Sequence, residues 1–120
     1  NNKKIELYNF GNHFRDFTYI DDCINGILLL SKRKSVSKYD IFNIANGNSR
    51  PLEHFIKIIE TCLNKKSKKK YLVLQKGDIK KTSASIRKIK EQVNFKPKVS
   101  INIGIPKFIN WFKEYYGFQR

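Results

Sequence analysis

The stretch Tyr39–Asn64, YDIFNIANGNSRPLEHFIKIIETCLN, carries a strand, a turn and a helix in succession. Asp40 to Ala45 is rich in Ile and Phe, which fit a pleated, half-buried surface, and predicts a strand. Asn46-Gly47-Asn48 ends it with residues that tolerate turn backbone angles. Pro51 then fits the first turn of a helix, where its missing N–H is no loss. Leu52, Phe55, Ile56, Ile59 and Leu63 fall on one stripe at helical spacing, and Asn64 offers a left-handed stop. A strand feeding an amphipathic helix through a short turn points to an α/β architecture.

The flanking sequence repeats the alternation. Upstream, Lys4 to Tyr8 alternates apolar and polar side chains and predicts a strand, turned by Gly11-Asn12. Phe14 to Ile20 is aromatic and extended in character. Asp21 or Asp22 suits a helix N-cap, with Ile24, Ile27 and Leu28 following at helical spacing as far as Lys32 or Arg33, a cationic last turn. Gly26 costs that helix about 1 kcal/mol relative to Ala, which points to close backbone packing there. A polar loop, Lys34 to Lys38, leads into the central stretch. Downstream, Tyr71 to Leu74 reads as a short strand and Ser85 to Val93 as a helix with Ile86 and Ile89 inward, ended by Asn94 and Pro97. Ser100 caps a last helix that places Ile101, Ile105, Phe108 and Phe112 on one face, its aromatic side extended by Trp111, Tyr115 and Tyr116. The expected fold is a small mixed α/β lobe of three to four short strands and about four helices. So few strands cannot cover so many amphipathic helices, which predicts a sheet completed by another part of a longer chain. The absence of any Met, initiator included, agrees with an excised piece.

At 120 residues the chain fits one domain, and 40% hydrophobic with 13% aromatic content excludes intrinsic disorder. No apolar run approaches the roughly 18 residues of a membrane span, and no apolar segment follows the basic N-terminus as in a signal peptide. Cys23 and Cys62 sit inside helical apolar patterns without CxxC spacing, so they read as buried, reduced thiols in a reducing compartment, here the cytoplasm. His13 and His54 stand far apart, so no metal is expected. The formal net charge of +15 admits a nucleic-acid binder. Lys supplies most of that charge, however, and Ile and Asn are abundant beside it. The codon bias of an A/T-rich genome explains all three, so nucleic acid is not the expected partner. The run KKSKKK, Lys65 to Lys70, is read as a solvated loop in preference to an anion-binding patch.

Nothing in the chain pairs Ser, His and Asp for nucleophilic catalysis, and neither a GxGxxG nor a Walker loop occurs. No catalytic residue is expected. Two binding features stand out. Arg15 lies among Phe14, Phe17 and Tyr19 and must find an anion: either a salt bridge to Asp16, Asp21 or Asp22, or a ligand phosphate. The tetrad Gln75-Lys76-Gly77-Asp78 is either a plain turn or a place where Gly lets the backbone approach a ligand while Gln and Asp read hydroxyl groups.

At these residues a resemblance emerges. RDFTYIDD (Arg15 to Asp22) followed by Gly26, then YDIFNIANGNSRPL (Tyr39 to Leu52), LQKGDIKKTSASI (Leu74 to Ile86) and FKPKVSINIGIPKFINWFKEYY (Phe95 to Tyr116) occur in fixed order. Together they resemble the C-terminal part of the NAD-dependent nucleotide-sugar epimerases/dehydratases, the extended short-chain dehydrogenases/reductases, and within them the UDP-glucuronate 4-epimerase branch. The resemblance implies that residues 1–120 form a C-terminal nucleotide-sugar-binding domain of a Rossmann-type protein. It further implies that the N-terminal NAD-binding domain, with its Gly-rich fingerprint and Tyr-x-x-x-Lys catalytic pair, is absent. By the same implication Glu6, Leu7 and Tyr8 line the uracil pocket, Arg15 contacts the UDP diphosphate with Phe17 supporting it, and Asp78 reads ribose hydroxyls. Gln75 stands where an Arg is common in the family. Ser83-Ala84-Ser85 replaces the usual Ala-Asp, with Ser85 still fit to cap a helix. NAD would be the parent's cofactor, bound outside this segment, and the segment alone would be inactive. The implied partners are a UDP-sugar, the chain's own NAD domain and a second copy in a homodimer, serving surface polysaccharide precursor synthesis. A nucleotide-sugar dehydratase or decarboxylase carries the same lobe, and a small basic nucleic-acid module is the alternative of another class.

Overall fold

The computed structural model describes residues 3–34 and 37–118. Four short strands and four α-helices alternate along the chain: β1 (Ile5–Leu7), β2 (Phe14–Arg15), α1 (Ile20–Ser31), β3 (Arg50–Pro51), α2 (Leu52–Leu63), β4 (Lys69–Tyr71), α3 (Arg87–Val93) and α4 (Ile101–Tyr115). This is the anticipated small mixed α/β lobe. The strands form two separate ribbons. β1 pairs in parallel with β4, Ile5 opposite Lys69 and Leu7 opposite Tyr71. β2 pairs antiparallel with β3, Phe14 opposite Pro51 and Arg15 opposite Arg50. Beyond β1 the chain turns through Tyr8–Gly11, where Asn9, Phe10 and Gly11 all take positive φ.

Helix ends follow side-chain chemistry. Asn64 and Asn94 both take the left-handed conformation that stops a helix, as their short polar side chains permit. Ser100 occupies the N-cap position of α4 by backbone conformation, but its hydroxyl makes no capping hydrogen bond. α2 packs along α4, and α1 lies against α3. Leu7, Ala45, Ile56, Ile89, Phe95, Ile105 and Ile109 form the core, with Phe95 and Ile89 wholly enclosed. Gly26 has the packing role its position suggested: a Cβ there would lie 3.0 Å from Ile44 Cγ2 and 3.2 Å from Phe95 Cε2.

Several expectations are corrected. Cys23 and Cys62, expected to be buried, are only partly covered. Asp40 to Ala45 forms no strand, because no described segment lies alongside to accept its backbone hydrogen bonds. The strand expected at Tyr71 to Leu74 lies earlier, at Lys69–Tyr71, because β1 sets the register; two residues of the basic run are therefore ladder residues and not loop. Within Phe14 to Ile20 only Phe14 and Arg15 are paired. The N-cap of α1 is Tyr19, with Asp21 and Asp22 inside the first turn, and Lys32 follows the helix as its C-cap. Pro51 sits at the N-cap of α2, one residue before the first turn. Ile86, not Ser85, precedes α3. On α4 the buried stripe is Gly104, Ile105 and Ile109, while Phe108 and Phe112 face outward. Part of the loop expected at Lys34 to Lys38, residues 35 and 36, falls outside the described residues.

The lobe is thin, 54 × 38 × 19 Å, with a radius of gyration of 17.5 Å; a compact domain of this length has about 13.5 Å. Its accessible surface is 9463 Å², against about 6800 Å² for a compact monomer of its mass. Large apolar side chains are among the exposed residues. Ile20, Ile24, Ile27 and Leu28 form one face of α1, each about half exposed. No helix among the described residues is long and apolar enough to cross a membrane.

Candidate functional site

The site is assembled where β2 meets the turn after β4. Phe14 N–H donates to Lys80 O at 2.9 Å and Thr82 N–H to Phe14 O at 3.1 Å, tying the segment after the tetrad to the strand that carries Arg15. The tetrad turns on itself, Asp78 N–H donating to Gln75 O at 3.2 Å, with Gly77 at φ +85°. That conformation suits Gly and leaves open space around its α-carbon. The turn brings Asp78 back over β2.

Arg15 and Asp78, 63 residues apart, thereby form an ion pair: Arg15 Nη2 lies 3.3 Å from Asp78 Oδ1. Arg15 Nη1 donates to Phe14 O at 2.9 Å and to Lys80 O at 3.3 Å, which anchors one edge of the guanidinium to backbone. The salt bridge anticipated for Arg15 thus exists, with a partner other than Asp16, Asp21 or Asp22. Those carboxylates are engaged elsewhere. Asp16 accepts the N–H groups of Gly47, Asn48 and Ala84, pinning two loops beside β2. Asp22, 4% exposed, accepts Lys98 N–H and Val99 N–H, each at 2.9 Å. Phe17 stacks on Phe55 of α2 with ring centroids 4.5 Å apart, fixing the chain just after Arg15.

The remaining candidate residues occupy other places. Glu6 and Tyr8 form a separate cluster on the β1–β4 ribbon: Tyr8 Oη donates to Glu6 Oε2 at 3.2 Å and Lys70 Nζ to Glu6 Oε1 at 3.0 Å. The Lys70 hydrogen bond and charge hold the Glu6 carboxyl below its usual range. Leu7 is 2% exposed and faces the core, so it offers a ligand only its backbone. Gln75 is exposed at the start of the turn. The structure therefore joins Arg15 with Asp78 and groups Glu6 with Tyr8.

One residue escaped the sequence reading. His13 is 3% exposed, and its Nε2 lies 3.0 Å from Asp78 Oδ2 without the alignment of a hydrogen bond. The signal was available, since residues two apart on an extended strand share a face, and His13 and Arg15 are such a pair.

Three lysines of the basic run lie near two carboxylates. Lys66 and Lys69 lie 3.6 and 3.9 Å from the buried Glu60, and Lys70 pairs with Glu6. Glu60 also accepts the hydroxyl and N–H of Ser67, which hold its carboxyl below the ordinary value. An apolar cleft of about 270 Å³ opens between Phe17, Tyr19 and Phe55 on one side and Gly104, Ile105 and Phe108 of α4 on the other. Among the described residues no three His, Cys, Asp or Glu side chains converge on a metal position.

Comparison with known proteins bears on the family and the fold. The profile of the NAD dependent epimerase/dehydratase family matches residues 1–45. The chain is 47% identical, over 93% of its length and 34% of the relative, to an uncharacterized protein of Methanocaldococcus jannaschii. It is 38% identical, over 93% of its length and 34% of the relative, to the UDP-glucuronate 4-epimerase of Thermodesulfobacterium geofontis. Its fold is similar to that of UDP-glucuronic acid 4-epimerase from Bacillus cereus, solved in complex with UDP-glucuronic acid and NAD. That match has a TM-score of 0.85 at 29% identity and covers 96% of this chain and 37% of that one. The chain spans about a third of the length of these curated relatives.

Proposed function

Because the chain belongs to the NAD-dependent epimerase/dehydratase family, we propose that it is the nucleotide-sugar-binding, C-terminal domain of a UDP-glucuronate-type 4-epimerase. The observation that carries this reading is the convergence of Arg15 and Asp78 at the Gly77 turn. Arg15 keeps N–H groups beyond those it donates to backbone, and a guanidinium fork suits the oxygens of a diphosphate. Asp78, an acceptor beside it, suits ribose hydroxyls. Gln75 at the mouth of the turn reaches the phosphate side. Glu6 and Tyr8, with the backbone of Leu7, form the uracil end. Excess positive charge draws in an anionic sugar nucleotide.

NAD is the cofactor of the parent protein on this reading. The catalytic Tyr and Lys and the NAD site belong to an N-terminal domain, and residues 1–120 alone do not turn over substrate. Their work is to grip the UDP end so that the sugar stays at a catalytic centre built elsewhere. The half-exposed face of α1 and the unpaired stretch Asp40 to Ala45 suit contact with that domain. The parent is a cytoplasmic homodimer that supplies precursors of surface polysaccharide.

The test is product analysis with the complete protein, NAD and UDP-glucuronate. Formation of the C4 epimer supports the reading; a dehydrated or decarboxylated product transfers the lobe to another branch of the family. No reaction with any UDP-sugar refutes it.

A further inference from the structure

We infer that His13 is a positioning residue for Asp78, holding that carboxylate in place when Arg15 turns to an anionic ligand. The inference rests on the reading of Arg15 and Asp78 as ligand groups. Asp78 uses its two oxygens on two partners, Oδ1 toward Arg15 at 3.3 Å and Oδ2 toward His13 Nε2 at 3.0 Å. The two partners differ in freedom. Arg15 is about 29% exposed and reaches Asp78 through the outer end of a long side chain. His13 is 3% exposed, and its backbone is tied on both sides: its N–H donates to Gly11 O at 2.9 Å and its carbonyl accepts Leu52 N–H at 2.8 Å. A diphosphate at Arg15 competes directly with Asp78 for the guanidinium. A carboxylate stripped of its cation would swing toward water and lose its aim at the ribose. The imidazole beneath it cannot follow Arg15 and supplies the second contact.

The buried Nε2 has no well-aligned hydrogen bond while Asp78 also pairs with Arg15. An unsatisfied buried ring nitrogen is costly. A small rotation of the Asp78 carboxyl toward His13, once Arg15 departs, completes that bond. His13 thus acts through Asp78 without touching the ligand.

A double-mutant cycle tests this by calorimetric titration of UDP into the complete protein and its Asp78→Asn, His13→Leu and doubly substituted variants, with folding checked by thermal melting. Asp78→Asn is expected to weaken UDP about tenfold, His13→Leu by a similar factor, and the double variant little beyond either alone, since both act through one contact. His13→Gln, which keeps a donor in reach of Asp78, is expected to recover most of the affinity and guards against a His13→Leu variant that fails to fold. Unchanged affinity in Asp78→Asn overturns the ligand role of Asp78 itself. An effect of Asp78→Asn with losses that simply multiply in the double variant, or with no loss in His13→Leu and His13→Gln, overturns the role of His13 alone.

Discussion

Asp22, in the first turn of α1, binds the backbone N–H of Val99, 77 residues along the chain, at 2.9 Å while its other oxygen holds Lys98 N–H. One buried carboxylate thus satisfies two N–H groups of the segment that leads into α4. Replacing it by Asn puts an amide donor opposite one of those N–H groups. We expect Asp22→Asn to destabilise the fold by about 1–3 kcal/mol and Asp22→Ala by at least as much, read from urea unfolding midpoints at constant slope.

Gly104 lines the apolar cleft beneath Tyr19, and a Cβ at that position would come within 2.8 Å of the Tyr19 ring. Ala is the better helix former by about 1 kcal/mol, so in an exposed helix the exchange would stabilise. Here the steric term wins: Gly104→Ala is expected to lower stability by about 1–3 kcal/mol, whereas an increase would show that Tyr19 moves freely.

Acid sensitivity follows from three carboxyls held below their ordinary values: Glu6 by Lys70, Asp40 by its hydrogen bond from Lys88, and Glu60 by Ser67. Each gives up its proton more readily in the folded state, so the unfolded chain binds more protons and stability rises with pH across the shift. Their contribution is complete above the ordinary values of 4.5 for Glu and 3.8 for Asp and is lost as pH falls through the lower folded values. Unfolding midpoints should decline below about pH 4.5, with a flatter decline in Glu60→Gln; an unaltered acid limb in that variant contradicts the assignment.

The parts of the fold that were legible in the sequence are those fixed by local chemistry. The apolar stripe of α2, the Asn64 and Asn94 stops and the small residue at Gly26 each express a preference that acts within a few residues. What was not legible depends on distant partners. Asp40 to Ala45 has the composition of a strand but joins neither described ribbon, and composition does not report pairing. The register of β4 is set by β1, so the strand lies on Lys69–Tyr71 despite the more apolar residues that follow. At the site, Arg15 and the Gly77 turn could be singled out by residue type. Their meeting through Asp78, and the place of His13 beneath it, come from long-range pairing of β2 with the segment at Lys80 to Thr82.

In the proposed function Arg15 grips the diphosphate of a UDP-sugar. Its most direct test is a calorimetric titration of UDP into the complete protein and its Arg15→Ala variant, with single-stranded DNA as the competing anion. Saturable UDP binding is expected, weakened at least about tenfold without the guanidinium, with no comparable response to DNA at moderate salt. Equal UDP affinity in the two proteins, or binding of DNA in place of UDP, would contradict it.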